Sequence, residues 1–300
     1  SKERSLMSDV TLTANGASVI LHGDGEYQGP GIALTGIAGW YATPDPKITV
    51  TSRGQGDGGH DIAASDILYS ARVVTISYRV LAGDRHEALD LLAQLDRAVH
   101  GLVTCRVTDQ GQDTQCVGGY YSRSLEQKIQ NPLWQNLSGD ITLVFERPER
   151  LSVNGYTVQI SAMHVAGGNV GLKYGDNRRN GLKYPLNYGL TLDGVGSNVA
   201  LLTNSGSSRA YPTFVVHGPM DGVRLDFPGT QQSIVCDQTV RDVPLVLDCG
   251  SRTAELGGQD VSRQLSQRGF PTIPPGGSIR VVLSSLGNGF VDCTAHDTYM

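Results

Sequence analysis
Apolar and polar residues alternate with a period of two in short runs along both halves of this 300-residue chain. Successive side chains of a β-strand point to opposite faces, so each such run reads as a strand with one buried face. Val74, Ile76, Tyr78 and Val80 alternate with Val73, Thr75, Ser77 and Arg79. Ile48 and Val50 flank Thr49, and Ile141, Leu143 and Phe145 repeat the pattern. In the second half, Val223, Leu225 and Phe227 alternate, as do Ile279, Val281 and Leu283, and then Val291, Cys293 and Ala295. Turn signals separate the runs, among them Gly218-Pro219 and Pro274-Pro275-Gly276-Gly277. The 38 glycines fit many tight turns, and 18% charged residues is low for a coiled coil or helical bundle. The reading is a mainly β chain with two sandwich-like domains.

One helix interrupts the strands. Asp84 is a candidate N-cap, and Glu87 three residues on completes a capping box. Ala88, Leu91, Leu92, Leu95, Ala98 and Val99 then recur at helical spacing, and Gly101 supplies a stop. A single apolar stripe over 84–100 predicts a helix laid on a sheet. The expected division is a first β domain at 1–155, a linker or arm with the entry to the second domain at 156–200, and a second sandwich at 201–300. Gly- and Asn-rich stretches such as Gly175-Asp176-Asn177 mark the middle segment.

The charge excludes some functions. Residues 1–150 hold 13 Lys/Arg against 18 Asp/Glu, and the rest hold 11 of each. Neither half has a basic stripe, so sequence-specific nucleic-acid binding is not expected. No apolar run approaches the roughly 18 residues of a membrane span, so no membrane insertion is expected. The first nine residues turn polar at once, and no secretory signal is expected. The five cysteines, Cys105, Cys116, Cys236, Cys249 and Cys293, are odd in number and widely spaced, which reads as reduced thiols. If Gln110-Gly111 is a two-residue hairpin turn, Cys105 and Cys116 lie directly opposite, and a cross-strand disulfide is the alternative.

No constellation for catalysis stands out. Asp57, His60, Asp61 and Asp66 lie near one another in sequence, but their spacing matches no calcium loop. No Gly-Lys-Ser/Thr phosphate cradle, dinucleotide fingerprint or Gly-x-Ser-x-Gly elbow occurs. His217 in the run Phe214-Val215-Val216-His217 reads as structural, and the seven Glu show no paired-acid context. The expectation is no enzyme, no catalytic, cofactor-binding or metal residues, and no cofactor. Trp40-Tyr41, Tyr120-Tyr121 and Trp134 are candidates for stacking on a sugar ring, with core or interface packing as the plainer reading.

Several motifs, taken in order, carry a resemblance. The run from Ser65 to Tyr78, followed by the helix, resembles the same junction in distal tail proteins of long-tailed (siphovirus) bacteriophages. Gly181-Leu182-Lys183-Tyr184-Pro185-Leu186-Asn187-Tyr188-Gly189 is similar to the approach to that family's C-terminal domain. Asn204-Ser205-Gly206, Tyr211-Pro212 and Gly218-Pro219 resemble its Asn-x-Gly, Tyr-Pro and Gly-Pro signature, and the run to Tyr299 its last strand. Phe145-Glu146-Arg147-Pro148 departs from the family's Pro-Asp-Pro-like turn. Among such proteins the resemblance is to an actinobacteriophage-type minor tail protein. It implies a galectin-like second sandwich and a structural role at the virion's tail tip, after assembly in host cytoplasm. It also implies a homo-hexameric ring around the DNA path, whose partners are the tail tube, tail-tip hub and tape measure proteins. The alternative is a carbohydrate-binding module touching the host envelope, with Tyr184 and Tyr188 as stacking residues.

Overall fold
The structure is a computed structural model that describes residues 8–23, 27–62, 67–125, 137–162 and 197–300. The chain divides into two units, Ser1–Val153 with Thr298–Met300, and Asn154–Asp297.

The first unit begins with β1 (Ser8–Ala14), β2 (Ala17–His22), β3 (Gly31–Ala38) and β4 (Arg72–Leu81). Helix α1 (Arg85–Val99) follows, then β5 (Val103–Asp109), β6 (Gln112–Leu125), β7 (Leu137–Phe145) and β8 (Arg150–Ser152). The strands pair in the order β8-β6-β5-β1-β2-β3-β4-β7, and β7 pairs back onto β6, which closes the sheet on itself. Closure leaves few free edges for stray pairing.

β6 makes this closure by serving two partners. Its residues Gln112 to Gly119 face β5, and Tyr120 to Leu125 face β7. Gly118, at φ +77°, lies in the irregularity between those parts. At Gly119 a Cβ would come within 2.5 Å of the Phe145 ring, so only glycine fits there.

The period-two pattern of β4 holds along the whole strand. Val74, Ile76, Tyr78 and Val80 are buried, while Val73 and Arg79 are exposed. Asp84 Oδ1 accepts from the Glu87 amide at 2.8 Å, and Glu87 Oε2 accepts from the Gly83 amide at 2.7 Å. Ala88, Leu92, Leu95, Ala98 and Val99 are buried, and α1 packs on β1, β2 and β4. The Ile48–Val50 run is not a strand. It belongs to the irregular connection between β3 and β4, where Val50 is 74% exposed. Three alternating residues without a sheet neighbour on either side gain no ladder.

The second unit holds β9 (Tyr156–Ser161), β10 (Val199–Asn204), β11 (Thr213–His217), β12 (Val223–Phe227), β13 (Gln232–Cys236) and β14 (Leu245–Asp248). β15 (Thr253–Leu256), β16 (Gln259–Asp260), β17 (Leu265–Arg268), β18 (Gly277–Leu283) and β19 (Phe290–Ala295) complete it. Five strands form one sheet, β10-β18-β12-β13-β17, and six the other, β16-β15-β14-β11-β19-β9. Their inner faces share one core, in which Leu202, Leu225, Ile234 and Val281 meet Phe214, Val216, Leu247 and Cys293. The Phe214 and Phe227 rings stack at 5.7 Å between the sheets.

Two features differ from the expected division. Tyr156–Ser161, within the stretch read from sequence as arm and entry to the second domain, is already a strand of that domain, because its Val158 and Ile160 pair with Cys293 and Val291 of β19. β20 (Thr298–Tyr299), assigned to the second sandwich, pairs with β8 of the first unit. The remainder of the expected arm, 163–196, lies outside the described residues.

Candidate assembly surfaces
Among the described residues no group of three or more His, Cys, Asp or Glu is placed to hold a metal ion. Arg53 pairs with Asp61 at 2.6 Å within the exposed connection that also carries Asp57 and His60; Asp66 lies outside the described residues. His217 sits beside Asp292, Nε2 to Oδ2 at 3.2 Å, and its ring stacks on Phe290 at 4.5 Å. Gln159 donates to the other Asp292 oxygen at 3.1 Å. Among the described residues no serine or threonine hydroxyl is hydrogen-bonded to the His217 imidazole in this outward row on β11, β19 and β9.

The aromatic candidates separate by environment. Trp40 is 1% exposed and belongs to the core. Tyr41 is open, but its hydroxyl donates to Asp109 Oδ2 at 2.7 Å and the Arg150 guanidinium lies over its ring at 5.0 Å. Partial burial and the bond to Asp109 push the Tyr41 phenol up to about 12. Ser8 also donates to Asp109, and the two hydroxyls, Ser8 first, hold that carboxyl below the usual range. Tyr121 is half-buried against the core and Tyr120 stands in solvent. Trp134, Tyr184 and Tyr188 lie outside the described residues.

Arg72 is the functional-looking residue that sequence reading missed. It occupies the inward phase of β4 and is 1% exposed. Its Nε donates to the Pro148 carbonyl at 2.6 Å. Its Nη1 reaches the carbonyls of Gly39, Trp40 and Ala42 at 2.9, 2.8 and 2.6 Å. The guanidinium thus ties the start of the β3–β4 connection to the β7–β8 turn, satisfying carbonyls that have no ladder partner. The signal was available, since Arg72 falls in register with Val74 and Ile76.

The cysteines are all buried and free. Gln110 and Gly111 have φ of 45° and 91°, which suits the expected two-residue turn, and Cys105 faces Cys116 directly. Burial pushes the Cys116 thiol up to about 12 and that of Cys105 well above its ordinary value.

No family model and no curated protein sequence matches the chain. Solved structures do. The Dit protein of phage SPP1, described as a paradigm of the hub adsorption apparatus in phages infecting Gram-positive hosts, superposes with a TM-score of 0.56 at 10% identity. The match covers 97% of this chain and 99% of that one. The chain has the Dit fold. A chain of the phage p2 baseplate in its activated conformation matches with a TM-score of 0.52 at 10% identity, over 96% of this chain and 97% of that one. The Dit fold accounts for a closed, helix-covered first unit followed by a sandwich, and it does so through nearly the whole length.

Proposed function
We propose that this protein is a structural component of a phage tail tip. Six copies form a ring that joins the tail tube to the tail-tip hub and leaves a path for DNA. The observation that supports this reading is the Dit fold, shared over almost the full length of both chains, with neighbours described as parts of a hub adsorption apparatus and a baseplate. The surface chemistry agrees. The first unit belongs to the acidic half of the chain, and a ring with acidic walls does not hold a polyanion that must pass. A non-enzymatic role is the matching reading.

Light scattering on purified protein across a concentration series tests the ring. The expected species is a hexamer, six times 32.0 kDa. A strict monomer at every concentration counts against self-assembly. The carbohydrate-binding alternative has less behind it. Among the described residues of the second unit, the exposed large apolar side chains are Val199, Leu201, Val243 and Leu286, none of them aromatic.

A further inference from the structure
The outer face of the first unit carries a transverse apolar row. Val73 on β4 pairs with Val144 on β7, and Val144 pairs with Tyr120 on β6. Val103 on β5 faces Gly119, which brings the preceding Leu102 level with Tyr120. Four apolar side chains therefore lie side by side across consecutive strands. Leu102 is 70% exposed, and Val73 and Tyr120 are each 51% exposed. Val117, also exposed, lies beyond the row along β6, next to the Cys105–Cys116 pair.

On one flank the row is bordered by uncharged residues, and on the other the exposed Glu146 follows Val144. The next row on the same face is Thr75, Thr142 and Ser122. The row after that is Ser77 and Asp140, whose carboxylate accepts from the Ser77 hydroxyl at 2.6 Å. A solvated sheet face ordinarily carries charged residues. A tyrosine among aliphatics, with charge displaced to the margin, is the composition of an interface centre. A nearby hollow of about 210 Å³, lined by Thr43, Pro44, Asp45 and Ser70, adjoins Val73 and gives the face relief.

We infer that this row is the centre of a contact with a second copy of the same chain. The argument for that occupant is charge. Residues 1–150 carry an excess of five acids, so bringing two copies together has a net electrostatic cost. An uncharged apolar centre keeps that cost low, whereas a basic partner would be met by the acidic surface. Nucleic acid is disfavoured because the row and its neighbour contain no Lys or Arg. In a closed ring the contact is head-to-tail, so the row meets a different surface on the neighbouring copy. The inference rests on the ring reading and adds to it the face through which copies meet.

The test uses the full chain and the same concentration series. Tyr120→Glu and Val73→Glu place a charge in the row, and Leu89→Glu places one at an exposed apolar position of α1. The expected result is an oligomer for the wild type and Leu89→Glu, with dissociation of the two row variants at concentrations at least tenfold higher. Far-UV circular dichroism and melting curves verify folding. If a Glu variant misfolds, Tyr120→Thr and Val73→Thr repeat the measurement with strand-compatible residues. Oligomers unchanged in every row variant overturn the inference and leave the ring reading standing. A wild type that remains at 32.0 kDa throughout overturns both.

Discussion
At the scale of single residues, burial decides behaviour. The five thiols are buried, and burial raises each of them. Ellman's reagent at pH 8 is therefore expected to label almost none in the folded chain and all five after denaturation. Rapid labelling of Cys105 or Cys116 in native protein would contradict the structure. Tyr41 and Asp109 form a pair in which the phenol keeps its proton and the carboxylate stays ionised. The raised Tyr41 value means that its contribution to stability is complete below pH 10 and fades as pH rises toward about 12. The depressed Asp109 value has the opposite sense. Its contribution holds above the ordinary carboxylate range and is lost as pH falls through the lowered value. Tyr41→Phe is expected to remove one late phenolate transition from an absorbance titration and to let the Asp109 carboxyl rise in a carbon-detected NMR titration. Arg72→Met leaves the carbonyls of Gly39, Trp40, Ala42 and Pro148 without that donor, and urea unfolding is expected to show a loss of about 3 kcal/mol or more.

At the scale of elements, the helix and β6 differ in how openly they are written. Helix α1 is local. Its cap, stripe and stop all lie within 84–101, and the structure places its ends at Arg85 and Val99. Removing the cap with Asp84→Ala is expected to cost about 1 kcal/mol in a thermal or denaturant melt. β6 is non-local. Its 14 residues serve β5 and then β7, and no short window of sequence discloses the switch. Gly118 and Gly119 are the visible trace of it, but a Gly-Gly pair equally signals a turn. Gly119→Ala is expected to lose about 1–3 kcal/mol by pressing a methyl into the Phe145 ring, which equilibrium unfolding measures. Asn204 shows the converse case. The Asn-x-Gly motif is a local turn in which Asn204 Oδ1 accepts from the Gly206 amide at 3.0 Å and Nδ2 donates to the Ser208 carbonyl at 2.7 Å.

At the scale of the whole molecule, the chain does not simply run from one unit into the next. After completing the second unit it returns, and Thr298 and Tyr299 pair with Leu151 and Arg150 of the first. Thr298 and Arg150 are both buried. Deletion of residues 298–300 is therefore expected to lower hydrogen-exchange protection at β8 in the first unit and leave the 154–297 core unchanged. Equal loss of protection in both units would argue against this assignment of the terminus. The Dit fold at 10% identity shows how much of such an architecture persists when few residues are shared. A core tolerates exchange among apolar residues of suitable volume, so one fold accommodates very different sequences.

By itself the sequence determined the β class, the covering helix and the buried phase of most strands. Each is a property of neighbours in the chain, governed by side-chain periodicity and local capping. The resemblance drawn from ordered motifs pointed to the same fold that the superposition shows. Tertiary structure alone decided the closure of the first sheet through β6, the return of β20 and the recruitment of Tyr156–Ser161 into a sheet. It also decided how side chains whose polarity is at odds with their face are accommodated. Arg72 lies inside because four backbone carbonyls converge there, and Val73, Tyr120 and Leu102 lie outside because closure fixes the opposite face as the core. Pairing partners distant in sequence set these outcomes, and their register is a property of the assembled sheet rather than of any one strand.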